Sequence, residues 1–345
     1  MAKNSPITIG DVTVAPGEQA HVNLPVADLY TSTSLSMPVE IRCGRLAGPV
    51  MFVSAAIHGD ELNGIEIIQR LLKRKALSRL HGTLLAVPVV NVHGFLNQSR
   101  YLPDRRDLNR SFPGSARGSI AARLANLFIN EIVSKADFGV DLHTGAINRS
   151  NLPQIRGNLD DEETLDLATA FGAPVIVDAA IREGSLRATA AARGMPVIVY
   201  EAGEALRFDE ISIRAGLRGI LSVMRHRGML PKVRARRPYT PMVAHNSRWV
   251  RAPDSGIVSR MVELGSRVRK GQTLAVITDP IGHQEVPVPA SASGIVIGRN
   301  NLPLAHEGDA LFHVATFENN PEAAEVVEDF TALHDADPDA ETRGT

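Results

Sequence analysis

Short apolar runs that break off in polar loops, each followed by residues at helical spacing, constrain this chain more than any other feature. Val50 to Ile57 is one such run. It ends at His58-Gly59-Asp60-Glu61, after which Leu62, Ile65, Ile68, Leu71 and Leu72 mark one face of a helix. Thr83 to Val90 is a second run, and the Ala- and Leu-rich segment Ile120 to Val133 leads to a third around Phe138 to Leu142. Ala173 to Val177, a helix near Ser185 to Arg193, Pro196 to Glu201 and a helix around Ile211 to Arg227 continue the alternation. Buried strands alternating with helices predict an α/β fold, a mixed, largely parallel sheet covered by helices on both faces. Ligands of such sheets gather at the carboxyl ends of the strands, so the polar residues just past each run are the candidates for a site.

The texture changes along the chain. Residues 1–44 read as short strands punctuated by Gly, Ser and Pro, and 45–230 as the α/β domain. The basic stretch 231–244, with prolines at 238 and 241, reads as a linker. In 245–317, Ser255-Gly256-Ile257-Val258 recurs as Ser293-Gly294-Ile295-Val296, each copy followed by a Gly-containing turn and an apolar strand. Two similar halves predict a small all-β domain. The acidic stretch 318–345 is expected to be a loose tail with at most one docked helical turn.

Composition excludes whole classes. Hydrophobic residues make up 44% of the 345, enough for a sizeable core. A formal net charge of -1 gives no global attraction to nucleic acid or to an anionic membrane, and the aromatic content of 4% offers few platforms for base stacking. Cys43 stands alone, so no internal disulfide can form and a cysteine-based zinc site is not expected. No apolar run reaches the roughly 20 residues of a membrane span. The expectation is a cytoplasmic protein with a small-molecule partner, no nucleic acid and no membrane; the sequence also permits a homo-oligomer.

His58 and Glu61 stand three apart in a loop after a buried run, where both side chains can converge on one point. Alone, the pair reads more readily as a chance polar pair or a capping interaction than as a metal site. Asp141-Leu142-His143 places another histidine after another apolar strand, and two imidazoles plus one carboxylate are the three-ligand set of a catalytic zinc with an open position for water. Asp141 either orients His143 through its second ring nitrogen or turns the chain at the strand end.

His58-Gly59-Asp60-Glu61, Asp107-Leu108-Asn109-Arg110, Asp141-Leu142-His143 and Tyr200-Glu201-Ala202-Gly203 occur in the order that resembles the succinylglutamate desuccinylase and aspartoacylase family, relatives of the zinc carboxypeptidases. The resemblance spans about residues 45 to 230 and implies a zinc carboxypeptidase-like fold with one Zn2+ per chain, held by His58, Glu61 and His143. It also implies hydrolysis of the amide bond of a small N-acyl amino acid. Glu201 matches the family's catalytic glutamate and would move the proton, with Glu204 as the competing choice. Asn109 and Arg110 match its substrate-holding residues, Arg110 being expected as a buried cation that grips a carboxylate. Arg100, or else Arg105 or Arg106, would stabilise the oxyanion. For the side chain of the amino acid, Glu204 or Asp209 would suit an amine, and Arg149 or Arg156 an acid. The C-terminal repeat is similar to the biotinyl/lipoyl-like domain of bacterial members, but its central turn, Asp279 to His283, lacks an acceptor lysine, so it is expected to cover the cleft or support subunit contacts. The histidines around it, His313 among them, read as surface or packing residues. The rival functions are a metallocarboxypeptidase acting on peptides and a non-catalytic binding protein on the same fold.

Overall fold

The computed structural model describes residues 2–233 and 239–335. The α/β part comprises β1 (Gln19–Asp28), β2 (Ser34–Cys43), β3 (Leu46–Ala55), α1 (Asn63–Leu72), β4 (His81–Val87), α2 (Ile120–Glu131), β5 (Phe138–Gly145), β6 (Arg149–Gly157), α3 (Glu162–Phe171), β7 (Val175–Asp178), α4 (Leu186–Ala191), β8 (Val197–Glu204) and α5 (Glu210–His226). Its central strands β8, β5, β3 and β4 run parallel, β2 and β1 add antiparallel strands beyond β4, and β6 lies antiparallel to β8.

The strand β3 shows why the central runs are apolar throughout. Successive side chains point to opposite faces of the sheet, and both faces are covered. Met51, Val53 and Ala55 join one core with Ile67 and Leu71 of α1 and with Phe171, Ile220 and Met224, while Phe52 joins a second core with Leu124 and Phe128 of α2.

The C-terminal strands include β9 (Met242–Ala244), β10 (Asn246–Arg251), β11 (Gly256–Ser259), β12 (Thr273–Thr278), β13 (Glu285–Pro289), β14 (Gly294–Asn300) and β15 (Ala310–Thr316). Strands β11, β12 and β13 form part of a small four-stranded sheet that shares a core with Val250, Val296, Phe312 and Val314 of β10, β14 and β15. The remainder does not stand apart. Strands β14, β15 and β10 continue the main sheet, because Gly298, Arg299 and Asn300 pair with Asn151, Ser150 and Arg149 of β6. Gln154 Nε2 also donates to the Ile297 carbonyl at 3.0 Å. The break expected near 245 is therefore a change of texture within one continuous sheet. Residues 234–238 of the expected linker lie outside the described residues.

The acidic tail is a correction. Residues Asn320–Asp335 form a helix, α6, that buries Ala323, Val326, Val327 and Phe330. Phe330 meets the Tyr239 ring edge-on at 6.0 Å, and Arg214 Nη1 donates to the His334 carbonyl at 3.0 Å. Burial of that apolar stripe outweighs the acidic composition, whose charges stay on the outer face. Residues 336–345 lie outside the described residues. Among the described residues, no helix is long and apolar enough to cross a membrane.

Candidate active site

The ends of β3 and β5 deliver three acidic or imidazole groups to one place. Beyond β3 the chain turns through His58 to Glu61 in contact with the short helix Val92–Leu96; a Cβ at Gly59 would fall 1.9 Å from the Gly94 carbonyl carbon, so no larger residue fits there. Glu61 lies between the two histidines, with Oε1 2.8 Å from His58 Nδ1 and Oε2 2.7 Å from His143 Nδ1. His58, Glu61 and His143 are all buried, and one ligand atom from each lies within 4.8 Å of the others.

The outer ring nitrogens are also held. His58 Nε2 lies 3.1 Å from Asp107 Oδ1, and His143 Nε2 lies 2.7 Å from Asp141 Oδ2. Asp141 in turn accepts from Ser54 Oγ at 2.7 Å, so it orients His143 as the sequence reading allowed. Carboxylates on the far nitrogens leave both Nδ1 atoms facing inward, the arrangement a metal-ligating histidine needs. Two imidazoles and one carboxylate, so aimed, fit a zinc ion.

The groups of the cluster favour one another's charged forms. Burial opposes ionisation of Glu61, but His58 and His143 outweigh it and hold the carboxyl well below its usual range. Burial likewise lowers the two imidazoles, and is outweighed by Glu61 with Asp107 at His58 and by Asp141 with Glu61 at His143, so both are raised, His143 strongly.

Around this cluster lies a cavity of about 450 Å³. Arg100 enters it with Nη1 3.2 Å from Glu61 Oε1 and Nη2 3.2 Å from Asp107 Oδ2. Arg105 and Arg106 are exposed and do not line it; Arg106 donates to Ser119 instead. Asp107 caps the short 3-10 turn Leu108–Arg110, which sets Asn109 and Arg110 on the wall. Asn109 Oδ1 accepts from Leu186 N at 2.9 Å and so fixes the start of α4. Arg110 is exposed, not buried as expected, and its guanidinium donates to the Asn109 carbonyl. Arg100, Arg156 and Arg187 of α4 are the half-buried cations of the wall, and Arg187 differs from the other two in its partners. It donates to the Ala179 carbonyl at 3.1 Å and, among the described residues, pairs with no carboxylate. Burial pushes its pKa down, with Glu201 opposing and Arg156 and Arg182 adding to the fall.

Glu201 lines the cavity and Glu204 does not. Glu204 is taken up in the joint with the C-terminal strands, accepting from Asn148 N at 2.9 Å and Asn301 Nδ2 at 2.8 Å. Asp209 caps α5 through Ser212 N at 2.7 Å, Arg149 lies 5.3 Å over the Trp249 ring, and Arg156 Nε pairs with Glu201 Oε2 at 3.1 Å. Of the four residues weighed for the substrate's side chain, only Arg156 reaches the cavity.

The C-terminal strands close the cavity with Ser247, Trp249 and His313. His313 is buried and stacks on Trp249 with the rings 6° from parallel and 4.8 Å apart, so its reading as a surface or packing residue was incomplete. Burial, with Arg156 adding, pushes its imidazole down to about 3. Nothing in the sequence flags these residues, because their nearness to His143 depends on the β14–β6 pairing.

Fold and site together define an α/β protein with a buried His/Glu/His metal-type cluster opening on an arginine-rich cavity at the carboxyl ends of a parallel sheet. Residues 47–227 match the succinylglutamate desuccinylase/aspartoacylase catalytic domain, and the chain belongs to that family. It is 29% identical to the N-alpha-acetyl-L-2,4-diaminobutyric acid deacetylase of Halomonas elongata over 90% of this chain and 95% of that protein. Among solved structures it is similar to a succinylglutamate desuccinylase/aspartoacylase from Rhodobacter sphaeroides (TM-score 0.76, 27% identity, 87% of this chain and 95% of that one). It is also similar to the product-bound ectoine utilization protein EutE (DoeB) from Ruegeria pomeroyi (TM-score 0.79, 26% identity, 91% and 99%). A deacylase of small acyl amino acids is the activity that these relatives support.

Proposed function

We propose that the protein is a zinc-dependent deacylase that hydrolyses the amide bond of a small N-acyl amino acid. The observation that carries this reading is the convergence of His58, His143, Glu201 and the guanidinium groups of Arg100, Arg110 and Arg187 on one cavity, with Glu61 lying between the two histidines. His58, Glu61 and His143 would hold the ion, which when bound supplies Lewis acidity towards water and carbonyl oxygen. Asp107 and Asp141 keep the outer ring nitrogens occupied, so the inner ones stay directed at the ion.

Glu201 is the general base: its carboxylate takes the proton of the attacking water and returns it to the leaving amine. Arg100, held against Glu61, is the cation nearest the ligand set and stabilises charge that develops on the carbonyl oxygen. Arg187 and Arg110, with Asn109 fixing the helix that carries Arg187, grip the substrate carboxylate; a guanidinium fork matches a carboxylate bidentately.

The wall of Ser247, Trp249 and His313 favours a short substrate over a peptide chain, which counts against the carboxypeptidase reading. The intact ligand set and Glu201 count against a binding protein that has lost catalysis. The test is hydrolysis of a panel of N-acyl amino acids beside peptides with free carboxyl termini. Release of amino acid from the former and none from the latter is expected; cleavage of peptides alone would reverse the choice.

A further inference from the structure

Glu201 is held from outside the cavity. Asn151 of β6, 8% exposed and absent from the cavity lining, donates from Nδ2 to Glu201 Oε2 at 2.9 Å. Arg156 Nε reaches the same oxygen at 3.1 Å. The Asn151 hydrogen bond, with the Arg156 ion pair on the same oxygen, sets the rotation of the carboxylate, and among the described residues no hydrogen bond is made to Oε1, which stays available for a proton.

The position of Asn151 is itself set by the C-terminal strands. Trp249 is paired with His313, His313 with Gly298, Gly298 with Asn151 and Asn151 with Gly203, one row across five adjacent strands. The row loses its side chain where it crosses between the two parts. A Cβ at Gly298 would lie 3.1 Å from Asn151 Oδ1 and 3.1 Å from His313 Cβ. That glycine has no positive φ, so a backbone conformation reserved to glycine does not explain it. The space it leaves is filled by the Asn151 amide on its way to Glu201.

We propose that Asn151 is a positioning residue for Glu201, and that the bare backbone of Gly298 lets the C-terminal strands set that position. The proposal rests on Glu201 being the general base. A carboxylate that must take a proton from one water and give it to one amine loses rate when its rotation is freed, while the substrate contacts made by the arginines are untouched.

The test uses the full-length zinc-loaded protein. Asn151→Ala is expected to lower kcat about 10- to 100-fold, the worth of one hydrogen bond to a charged group, with KM changed less than about twofold. Asn151→Asp keeps the shape and replaces the donor by an acceptor facing Glu201, so it is expected to be at least as slow. A residue that merely packs would tolerate it, and an Asn151→Asp enzyme with wild-type kcat overturns the proposal. Asn151→Ala added to Glu201→Gln is expected to cost no further rate, whereas an additional loss of the same size would place Asn151 on another step. If the Asn151 variants fail to fold, Gly298→Ala carries the test: kcat is expected to fall about 3- to 10-fold at unchanged KM, because the amide must shift by a few tenths of an ångström, and a wild-type kcat would refute the link. A Glu201→Gln enzyme with normal turnover would instead sink the choice of base, which separates the two failures.

Discussion

Arg187→Met removes a half-buried guanidinium of the cavity that has no carboxylate partner among the described residues, while keeping an unbranched side chain. Among the described residues that guanidinium has only backbone carbonyl partners, Ala179 at 3.1 Å and Ala180 at 3.5 Å, and is crowded by Arg156 and Arg182, so a bound carboxylate relieves an existing penalty. A hydrogen bond to a charged group is worth about 1.5–3 kcal/mol, which converts to a loss of about 10- to 150-fold in kcat/KM for an N-acyl amino acid. The decarboxylated N-acyl amine never made that contact, and its poor rate should change by less than about twofold. Arg110→Ala, at an exposed position, should show the same selectivity with a smaller loss. The assay is amine release from the two substrates by wild type and both variants. If Arg187→Met slowed both substrates equally, the residue would be supporting the fold and not the carboxylate; if the wild type hydrolysed both equally well, no arginine would be gripping one.

Three further outcomes follow from the same geometry. Glu201→Gln should retain its metal and lose roughly two to four powers of ten in turnover, while Glu204→Gln, at the joint with Asn148 and Asn301, should lose far less; stopped assays with metal analysis distinguish them. Phe330→Ala should destabilise the protein by about 3–5 kcal/mol in denaturant unfolding, whereas a loose tail would give a change below about 0.5 kcal/mol. Because the neighbouring carboxylates raise His58 and His143, protons compete with zinc for them at pH values above the ordinary imidazole range. Zinc affinity should therefore fall as pH drops through neutrality, with protons released on binding; calorimetric titration in buffers of different ionisation heat reads both, and a pH-independent affinity would contradict it.

What the sequence revealed was what depends on local pattern. The runs ending at His58 and His143 are buried on both faces and therefore apolar throughout, so the polar residues after them stand out. The Asp107 to Arg110 motif could be placed by resemblance. Strand β6 escaped notice because Arg149 to Gly157 mixes polar residues with a proline and takes its burial from strands on both sides, one of them more than 140 residues further on. Asn151 was hidden with it, as were the roles of Trp249 and His313, which arise from the same pairing, while Arg156 was named without the strand that sets it beside Glu201. Arg187 was overlooked for a different reason: an arginine in a short helix looks solvated until the fold shows that Asn109 and the 179–180 backbone enclose it. The helix Asn320–Asp335 was legible and misread. Ala323, Val326, Val327 and Phe330 fall at helical spacing, and the acidic residues between them concealed a stripe wide enough to dock.

The account depends first on the metal. Purified protein should carry about one zinc per chain and release amino acid from an N-acyl amino acid; chelation should abolish the activity and added zinc restore it. His143→Ala should lose both tight zinc retention and turnover. A His143→Ala protein with full zinc occupancy and normal turnover, or a wild type equally active after complete removal of metal, would contradict the assignment of His58, Glu61 and His143.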